Sequence, residues 1–186
     1  MKHYKKSRKR GIYVKKLSTD YCVLDLETTG LSWQDDEIIE IGIVKVRNNQ
    51  IVDKYSQLIH PQCQISSFIT QLTGITNDMV KEMPKLQDVQ NEVLDFIGND
   101  IIIGHNTSFD LNFLANAFQK DIYNEYMDTL QFSRKIYPHL RHHRLTDMVH
   151  LLNLSNNEHR SLADCIATYE LYEHCKKRII HEHIMI

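Results

Sequence analysis

The sequence has few of the residues that define several protein classes. Its four cysteines, at positions 22, 63, 165 and 175, form no CxxC pair, which argues against a zinc ribbon, a dithiol redox centre and a disulfide framework. Six glycines and three prolines among 186 residues exclude a collagen-like or low-complexity chain. No apolar run approaches the ~20 residues that cross a bilayer. These absences predict a globular, cytoplasmic protein in a reducing compartment, without a membrane partner.

Positive charge is concentrated at the beginning of the chain. Residues 1–16 carry eight of the 22 Lys and Arg residues, and all 24 acids follow them. Asp20, Asp25 and Glu27 interrupt the segment where a signal peptide would be apolar. We therefore predict a basic arm over residues 1–18 and a folded domain over residues 19–180. The arm is suited to binding polyanions, because Lys and Arg release counterions from phosphates. A solvated tail explains the same composition equally well.

The hydrophobic pattern predicts one α/β domain with a mixed sheet. The predicted strands cover residues 21–26, 37–47, 51–60 and 101–106, with a hairpin turn at Asn48-Asn49. The predicted helices run from Thr76 to Ile97, over 108–120, from Asp128 towards Tyr137, over 145–152 and over 161–177. Since no repeat or flexible linker divides the chain, helices flanking a single sheet are favoured.

Acidic residues occur at the ends of two predicted strands and in the last helix. Asp25 and Glu27 are two residues apart, so they share one face of the first strand. Asp110 lies in the first turn of the helix after the fourth strand, where an acid also simply favours a helix N-terminus. Asp164 lies five residues after His159, and five helical residues turn the chain by about 500°. If both residues were helical, their side chains would therefore point about 140° apart. We therefore expect His159 to precede the helix, where an imidazole can act as a general base.

Three motifs that contain these residues resemble those of the histidine-containing DEDD (DnaQ-like) exonuclease family. DLETTG contains Asp25 and Glu27, HNTSFD contains Asp110, and HRSLAD contains His159 and Asp164. The resemblance spans about residues 20–178. It implies the ribonuclease H-like fold, an α/β fold with a mixed central sheet flanked by helices, which agrees with the predicted order of elements.

The resemblance implies a hydrolase that uses two divalent metal ions. The implied catalytic residues are Asp25, Glu27, Asp110, His159 and Asp164. The four carboxylates would bind Mg²⁺ or Mn²⁺, because hard cations prefer oxygen ligands, and His159 would accept a proton from the attacking water. The implied substrate contacts are Thr28, Leu72, Thr73, Ile75 and Asn106. Core packing explains Leu72 and Ile75 equally well, and Asn106 is also suited to joining a strand end to the next helix.

The leading functional interpretation is a 3′-to-5′ exonuclease that releases nucleoside monophosphates from single-stranded or frayed DNA ends. Within the family, the chain looks closest to the proofreading exonucleases of bacterial DNA polymerase III, including the epsilon subunit. Proofreading in replication or repair would then require a replicative polymerase as partner. The alternative is an exoribonuclease of the ribonuclease T or oligoribonuclease type, because the same carboxylates cut RNA. A binding module without catalysis is a third interpretation.

A second basic stretch lies at residues 134–144 (RKIYPHLRHHR) and mixes Arg, Lys and His with Tyr137. Interleaved cations and aromatic rings suit a path for a single strand, because every base has a face that can stack. A charged surface loop is an equally good explanation.

Overall fold

The computed structural model describes residues 8–155 and 159–186, and these residues form a six-stranded sheet with helices on both faces. The strands are β1 (Arg10–Tyr13), β2 (Tyr21–Thr28), β3 (Ile38–Arg47), β4 (Gln50–Leu58), β5 (Ile102–Gly104) and β6 (Ile122–Asp128). The helices are α1 (Ser67–Thr73), α2 (Asn77–Val80), α3 (Leu86–Ile97), α4 (Thr107–Ala117), α5 (Thr129–Ile136), α6 (Leu145–Leu152) and α7 (Ser161–His181). The predicted α/β class is confirmed.

The strand order across the sheet is β1-β6-β5-β2-β3-β4. β2, β3 and β4 form an antiparallel meander, whereas β2, β5, β6 and β1 are parallel to their neighbours. Parallel strands end on the same side of a sheet, so the carboxyl ends of these four strands form one edge. The crossovers from β4 to β5 and from β5 to β6 contain helices, as is usual for connections between parallel strands.

The alternating side chains of β2 face two different cores. Cys22, Leu24 and Leu26 pack in a cluster that includes Leu111 and Leu114 of α4. Tyr21 and Val23 point the other way and pack in a cluster with residues of α5, α6 and α7. Because both faces of β2 are covered, its apolar residues form a nearly continuous run, as is typical of a central strand.

Several helix boundaries follow capping rules that are visible in the sequence. Asp128 caps α5, since its side chain accepts a hydrogen bond from the backbone N–H of Leu130 at 2.9 Å. Gly98 ends α3 with φ 58°, a conformation that glycine adopts without steric cost. Asn48 and Asn49 have φ 50° and 61°, which suits the predicted hairpin turn. α6 covers the predicted residues, and α7 extends four residues beyond the predicted end at 177.

Three elements were not predicted from the sequence. β6 has the polar sequence IYNEYMD, and only its partners in the sheet and α4 explain it. β1 lies within the predicted arm and pairs with β6, and α1 is a helix of seven residues. The first seven residues of the arm and residues 156–158 of the loop before His159 lie outside the described residues. In the described part of the chain, no helix has both the length and the apolar character to span a membrane.

Candidate active site

Three acidic side chains meet where β2 ends beneath the beginning of α7. In the register of β2 and β3, Asp25 lies opposite Gly42 and Glu27 lies opposite Glu40. Asp164 is in the first turn of α7. One ligand atom from each of Asp25, Glu27 and Asp164 can be chosen so that all three atoms lie within 4.8 Å of one another. The structure therefore brings together three of the four carboxylates that the sequence motifs predicted as metal ligands.

Close packing of α7 against β3 makes this convergence possible. A Cβ atom placed on Gly42 would lie 2.5 Å from the carbonyl carbon of Ser161, far inside contact distance. The thiol of Cys165 lies 3.2 Å from the carbonyl oxygen of Gly42 and 3.5 Å from that of Val23. The missing side chain of Gly42 thus lets the first turn of α7 lie directly on the sheet.

The fourth predicted carboxylate, Asp110, reaches the site from α4 on the other face of the sheet. It is 4% exposed, and its Oδ1 accepts a hydrogen bond from the backbone N–H of Leu26 at 3.1 Å. Leu26 lies between Asp25 and Glu27, so this bond fixes Asp110 to the strand that carries both acids. Asp110 is not one of the three residues of the metal-ligating group.

Burial raises the pKa values of Asp25, Glu27 and Asp110, and for Asp25 and Glu27 the charges of the neighbouring acids add to it. The pKa of Asp25 is well above its ordinary value because the group is buried, and the charges of Asp110 and Asp164 add to this effect. The pKa of Glu27 is raised to about 8, mainly by burial and then by Asp164. Burial likewise raises the pKa of Asp110. Like charges held this close favour protonation unless a cation neutralises them, so the cluster fits hard divalent cations, which prefer carboxylate oxygens.

A fifth acid, Glu40, was not identified from the sequence. It is 1% exposed, and both carboxylate oxygens lie 3.1 Å from Nε of Arg160. Oε2 also accepts the backbone N–H of Ser161 at 2.9 Å. Glu40 therefore holds the beginning of α7 over β3, opposite Glu27. An acid at an inward position of the apolar run EIIEIGIV was the signal that could have indicated it.

His159 precedes α7, as predicted from its spacing to Asp164. It is half-buried and has φ 49°, in the left-handed region that costs a residue with a Cβ about 1–2 kcal/mol. Such strain persists only where the surrounding structure imposes it, and it is concentrated at functional sites.

The residues predicted to contact substrate have different environments. Leu72 is 44% exposed on α1, whereas Thr73 is buried and accepts the backbone N–H of Ile75 through its hydroxyl at 3.1 Å. Ile75 is fully buried in a cluster around α1 and α2, so its side chain is not accessible to a substrate in this structure. Thr28 is buried, and its hydroxyl donates to the carbonyl of Gly30 at 2.6 Å. Their roles in binding remain predictions.

Asn106 lies at the carboxyl end of β5 and is exposed. It precedes α4 in a left-handed conformation, with φ 76°. Its backbone N–H donates to Oδ1 of Asp128 at 2.9 Å, so the backbone of Asn106 joins β5 to the end of β6. The side chain forms no hydrogen bond among the described residues and is left to face solvent.

A family model described as Exonuclease (RNase_T) matches residues 22–172, and these residues include all five predicted catalytic side chains. The chain belongs to this exonuclease family. The family resemblance inferred from the three motifs is therefore confirmed, and so is the prediction that the chain is a hydrolytic enzyme.

Relatives and solved structures agree with this membership. The chain is 39% identical over 160 residues to the PolC-type DNA polymerase III of Caldanaerobacter subterraneus subsp. tengcongensis, an alignment that covers 84% of this chain and 11% of the polymerase. It thus spans a small part of the length of that relative. Exonuclease X in complex with 5′ overhanging duplex DNA has a TM-score of 0.71 and 27% identity, with 84% of this chain and 91% of that chain covered.

A third comparison concerns the fold alone. A 3′-exonuclease that recognises the 3′ end of a histone mRNA stem-loop has a TM-score of 0.72 at 20% identity, and the match covers 91% of this chain and 85% of that chain. The expected ribonuclease H-like fold is confirmed by these neighbours.

Proposed function

We propose that this chain is a metal-dependent exonuclease that removes nucleoside monophosphates from DNA 3′ ends, acting in proofreading. The observation that carries the proposal is the convergence of Asp25, Glu27 and Asp164 within 4.8 Å, next to Asp110. Burial, followed by the charges of neighbouring acids, raises the pKa values of Asp25 and Glu27, and such a cluster is suited to cations. Two Mg²⁺ or Mn²⁺ ions bound there would neutralise the phosphoryl oxygens and lower the pKa of an attacking water.

The side chains of the chain itself have distinct roles in this proposal. Asp25, Glu27 and Asp164 would hold the metals, and Asp110 would support them from the other face of the sheet. His159 accepts the proton of the attacking water, a task for which an imidazole is suited near neutral pH. Leu72 is the predicted substrate-binding side chain with the largest exposed apolar surface, and it contacts the terminal nucleotide.

Comparison with relatives favours DNA over RNA. The relative at 39% identity is named a DNA polymerase, and the solved structure at 27% identity holds duplex DNA, whereas the structure with an RNA stem-loop is 20% identical. A replicative DNA polymerase as partner belongs to the same proposal, because the relative at 39% identity is named a DNA polymerase. A cytoplasmic location is part of the same proposal.

The test is a time course on matched single-stranded DNA and RNA labelled at either end, with Mg²⁺, Mn²⁺ or EDTA. The expected result is a metal-dependent ladder that shortens from the 3′ end and forms faster on DNA. Asp25→Asn should abolish it, while Asp53→Asn, an exposed acid on β4, serves as the matched control. Faster degradation of RNA would favour the exoribonuclease alternative, and an absence of cleavage with either metal would contradict catalysis.

A further inference from the structure

Two cavities outside the carboxylate cluster lie side by side along α5 and together form a groove on the surface. The larger, of about 550 Å³, lies between β1, β6 and α5, and the smaller, of about 400 Å³, lies between the end of β5 and the segment before α6. Arg134 lines both cavities, so they are adjacent at this residue. We call this the basic groove and define it by Tyr13, Lys15, Tyr126, Arg134, Lys135 and Arg141.

The basic groove begins beside the candidate active site. Asn106, which lines the smaller cavity, follows β5, and β5 is the neighbour of β2. Tyr13 and Lys15, which line the larger cavity, lie at the end of β1. All these strands end at the same edge of the sheet as Asp25 and Glu27. Three steps of about 4.8 Å separate β2 from β1, so the groove extends roughly 14 Å sideways from the carboxylates.

The cations of the groove are available to a ligand. Lys15, Arg134, Lys135 and Arg141 are exposed, and among the described residues none of their side chains has an ion pair or hydrogen bond. Arg144, which also lines the smaller cavity, is paired with Asp147 at 3.0 Å. Four unpaired cations in one groove indicate a ligand with several negative charges.

Among the described residues that line the two cavities, one side chain is acidic, that of Asp128. Asp128 is 5% exposed, and its Oδ1 accepts the backbone N–H groups of Asn106 and Leu130, each at 2.9 Å. These two bonds partly neutralise the carboxylate. The net field in the groove therefore remains positive.

Aromatic rings accompany the cations. Tyr13 is 41% exposed, and its ring centroid lies 5.5 Å from that of Tyr126 with the planes tilted by 60°. Both rings line the larger cavity. Interleaved cations and aromatic faces are what single-strand binding sites combine, because phosphates pair with the cations and every base can stack.

We propose that the basic groove binds the nucleotides that precede the 3′ end, so that a single strand runs from the carboxylates across β5 and β6 to β1. This inference rests on the proposed function for the position of the 3′ end. The wall formed by β1 and Lys15 lies before residues 22–172, the region that the exonuclease family model matches. The groove thus gives Tyr13 and Lys15 of the basic arm a specific role, which is to extend the site for the strand.

The experiment measures binding without metal ions, and cleavage is measured separately with Mg²⁺ or Mn²⁺. Binding of dT3 and dT12 is measured in EDTA at several salt concentrations, for the unaltered chain and for the triple variant Lys15→Ala, Arg134→Ala and Lys135→Ala. The control is Lys54→Ala with Lys81→Ala, two exposed lysines away from the groove, Lys54 being on β4 at the other edge of the sheet. Thermal melting of each variant checks that it folds.

We expect the unaltered chain to bind dT12 more tightly than dT3, and the triple variant to lose most of this gain. The slope of log K against log salt for dT12 should fall by about 2, since each lost phosphate contact removes about 0.7. Tyr13→Ala should weaken binding of dT12 with little change in this slope, because stacking involves no counterion. The groove should bind rU12 as well, since RNA offers the same phosphates and ring faces.

The outcomes separate this inference from the proposed function. If the triple variant and the lysine control give the same slope and the same gain with length, the groove does not bind the strand, whatever the chain cleaves. A different result would contradict the proposed function: the triple variant loses dT12 binding, but the unaltered chain cleaves neither dT12 nor rU12 with Mg²⁺ or Mn²⁺. That result would still support the groove as a binding site.

Discussion

Glu27 shows how the fold sets the chemistry of a single residue. Burial first, and then the charges of Asp164, Glu40 and Asp110, raise its pKa to about 8, and the guanidinium of Arg160 opposes them. A carboxylate that is mostly protonated at neutral pH without a cation becomes a ligand when a cation displaces the proton. The sequence motif identifies this residue, whereas its pKa depends on what packs around it.

This raised pKa makes the stability of the metal-free protein depend on pH. Between the ordinary value of 4.5 and about 8, folded Glu27 keeps a proton that the unfolded chain has released, so stability falls as pH rises through this window. Glu27→Gln removes this effect. We therefore expect the free energy of unfolding of the variant to exceed that of the unaltered chain by an amount that grows from pH 4.5 to pH 8. The gain at pH 8 should exceed the roughly 1.4 kcal/mol of one pKa unit. Denaturant unfolding in EDTA measures it, and an advantage that does not change with pH would contradict the argument.

The second prediction at this scale concerns His159. His159→Ala should lower kcat by roughly 10²- to 10⁴-fold, the contribution of a general base, while metal and DNA binding persist. Steady-state kinetics and titration with Mn²⁺ measure the two effects, and His150→Ala, at an exposed position in α6, is the control. An unchanged rate would exclude the proposed role.

Arg160 and Glu40 form an ion pair whose two side chains differ in burial. Glu40 is 1% exposed and the side chain of Arg160 is 40% exposed, so removing Arg160 leaves a buried charge, whereas Glu40→Gln does not. We expect Arg160→Ala to destabilise the protein by about 2 kcal/mol, below the 3–5 kcal/mol of a fully buried pair. Adding Glu40→Gln to Arg160→Ala should recover part of this loss. A double-mutant cycle by denaturant unfolding checks it, and additive effects would show that the two side chains are not coupled.

Among the elements, the contact between α7 and β3 is decisive for the site. Its closeness depends on Gly42, where a Cβ would overlap backbone atoms of Ser161 and Leu162. Backbone cannot yield as a flexible side chain does, so Gly42→Ala must shift the beginning of α7 and move Asp164 away from Asp25.

We therefore expect Gly42→Ala to lose activity at least tenfold and to destabilise the protein by about 1–3 kcal/mol, the usual cost of overpacking. Kinetics and denaturant unfolding test this. Gly74→Ala is a useful comparison, because it has positive φ and no atom within 4 Å of the added Cβ, so it should cost stability through backbone strain alone. If Gly42→Ala kept full activity, the close contact would not be needed to position Asp164.

At the scale of the whole molecule, the acidic cluster couples folding to metal binding. The cluster draws on β2, α4 and α7, which are distant in the sequence, so cations that bind it bind the folded state alone. Mn²⁺ at 100 times its dissociation constant should add about 2.7 kcal/mol of stability. The shift in melting temperature should increase as pH rises towards 8, because binding displaces protons. Asp25→Asn should remove most of the shift, and an equal shift in that variant would place the metal elsewhere.

The sequence predicted the structure correctly where a local pattern has one explanation. The alternation around Asp25 and Glu27, the cap at Asp128 and the spacing of His159 from Asp164 each rest on geometry within one element, and each agrees with the structure. The three motifs together indicated the family. Elements whose stability comes from neighbours were missed, and β6 is the clearest case, because its polar residues have strand conformation only between β5 and β1.

The sequence by itself determined the residue types of the site and the order of most elements, because motif spacing and hydrophobic period are local properties. Tertiary structure alone decided which groups meet. It placed Glu40 opposite Glu27, brought Asp110 to the backbone of Leu26, and added residues 10–13 of the basic arm to the sheet as β1, near Arg134 and Lys135. These contacts join residues far apart in the chain, and such pairings depend on the packing of the sheet and its helices as a whole.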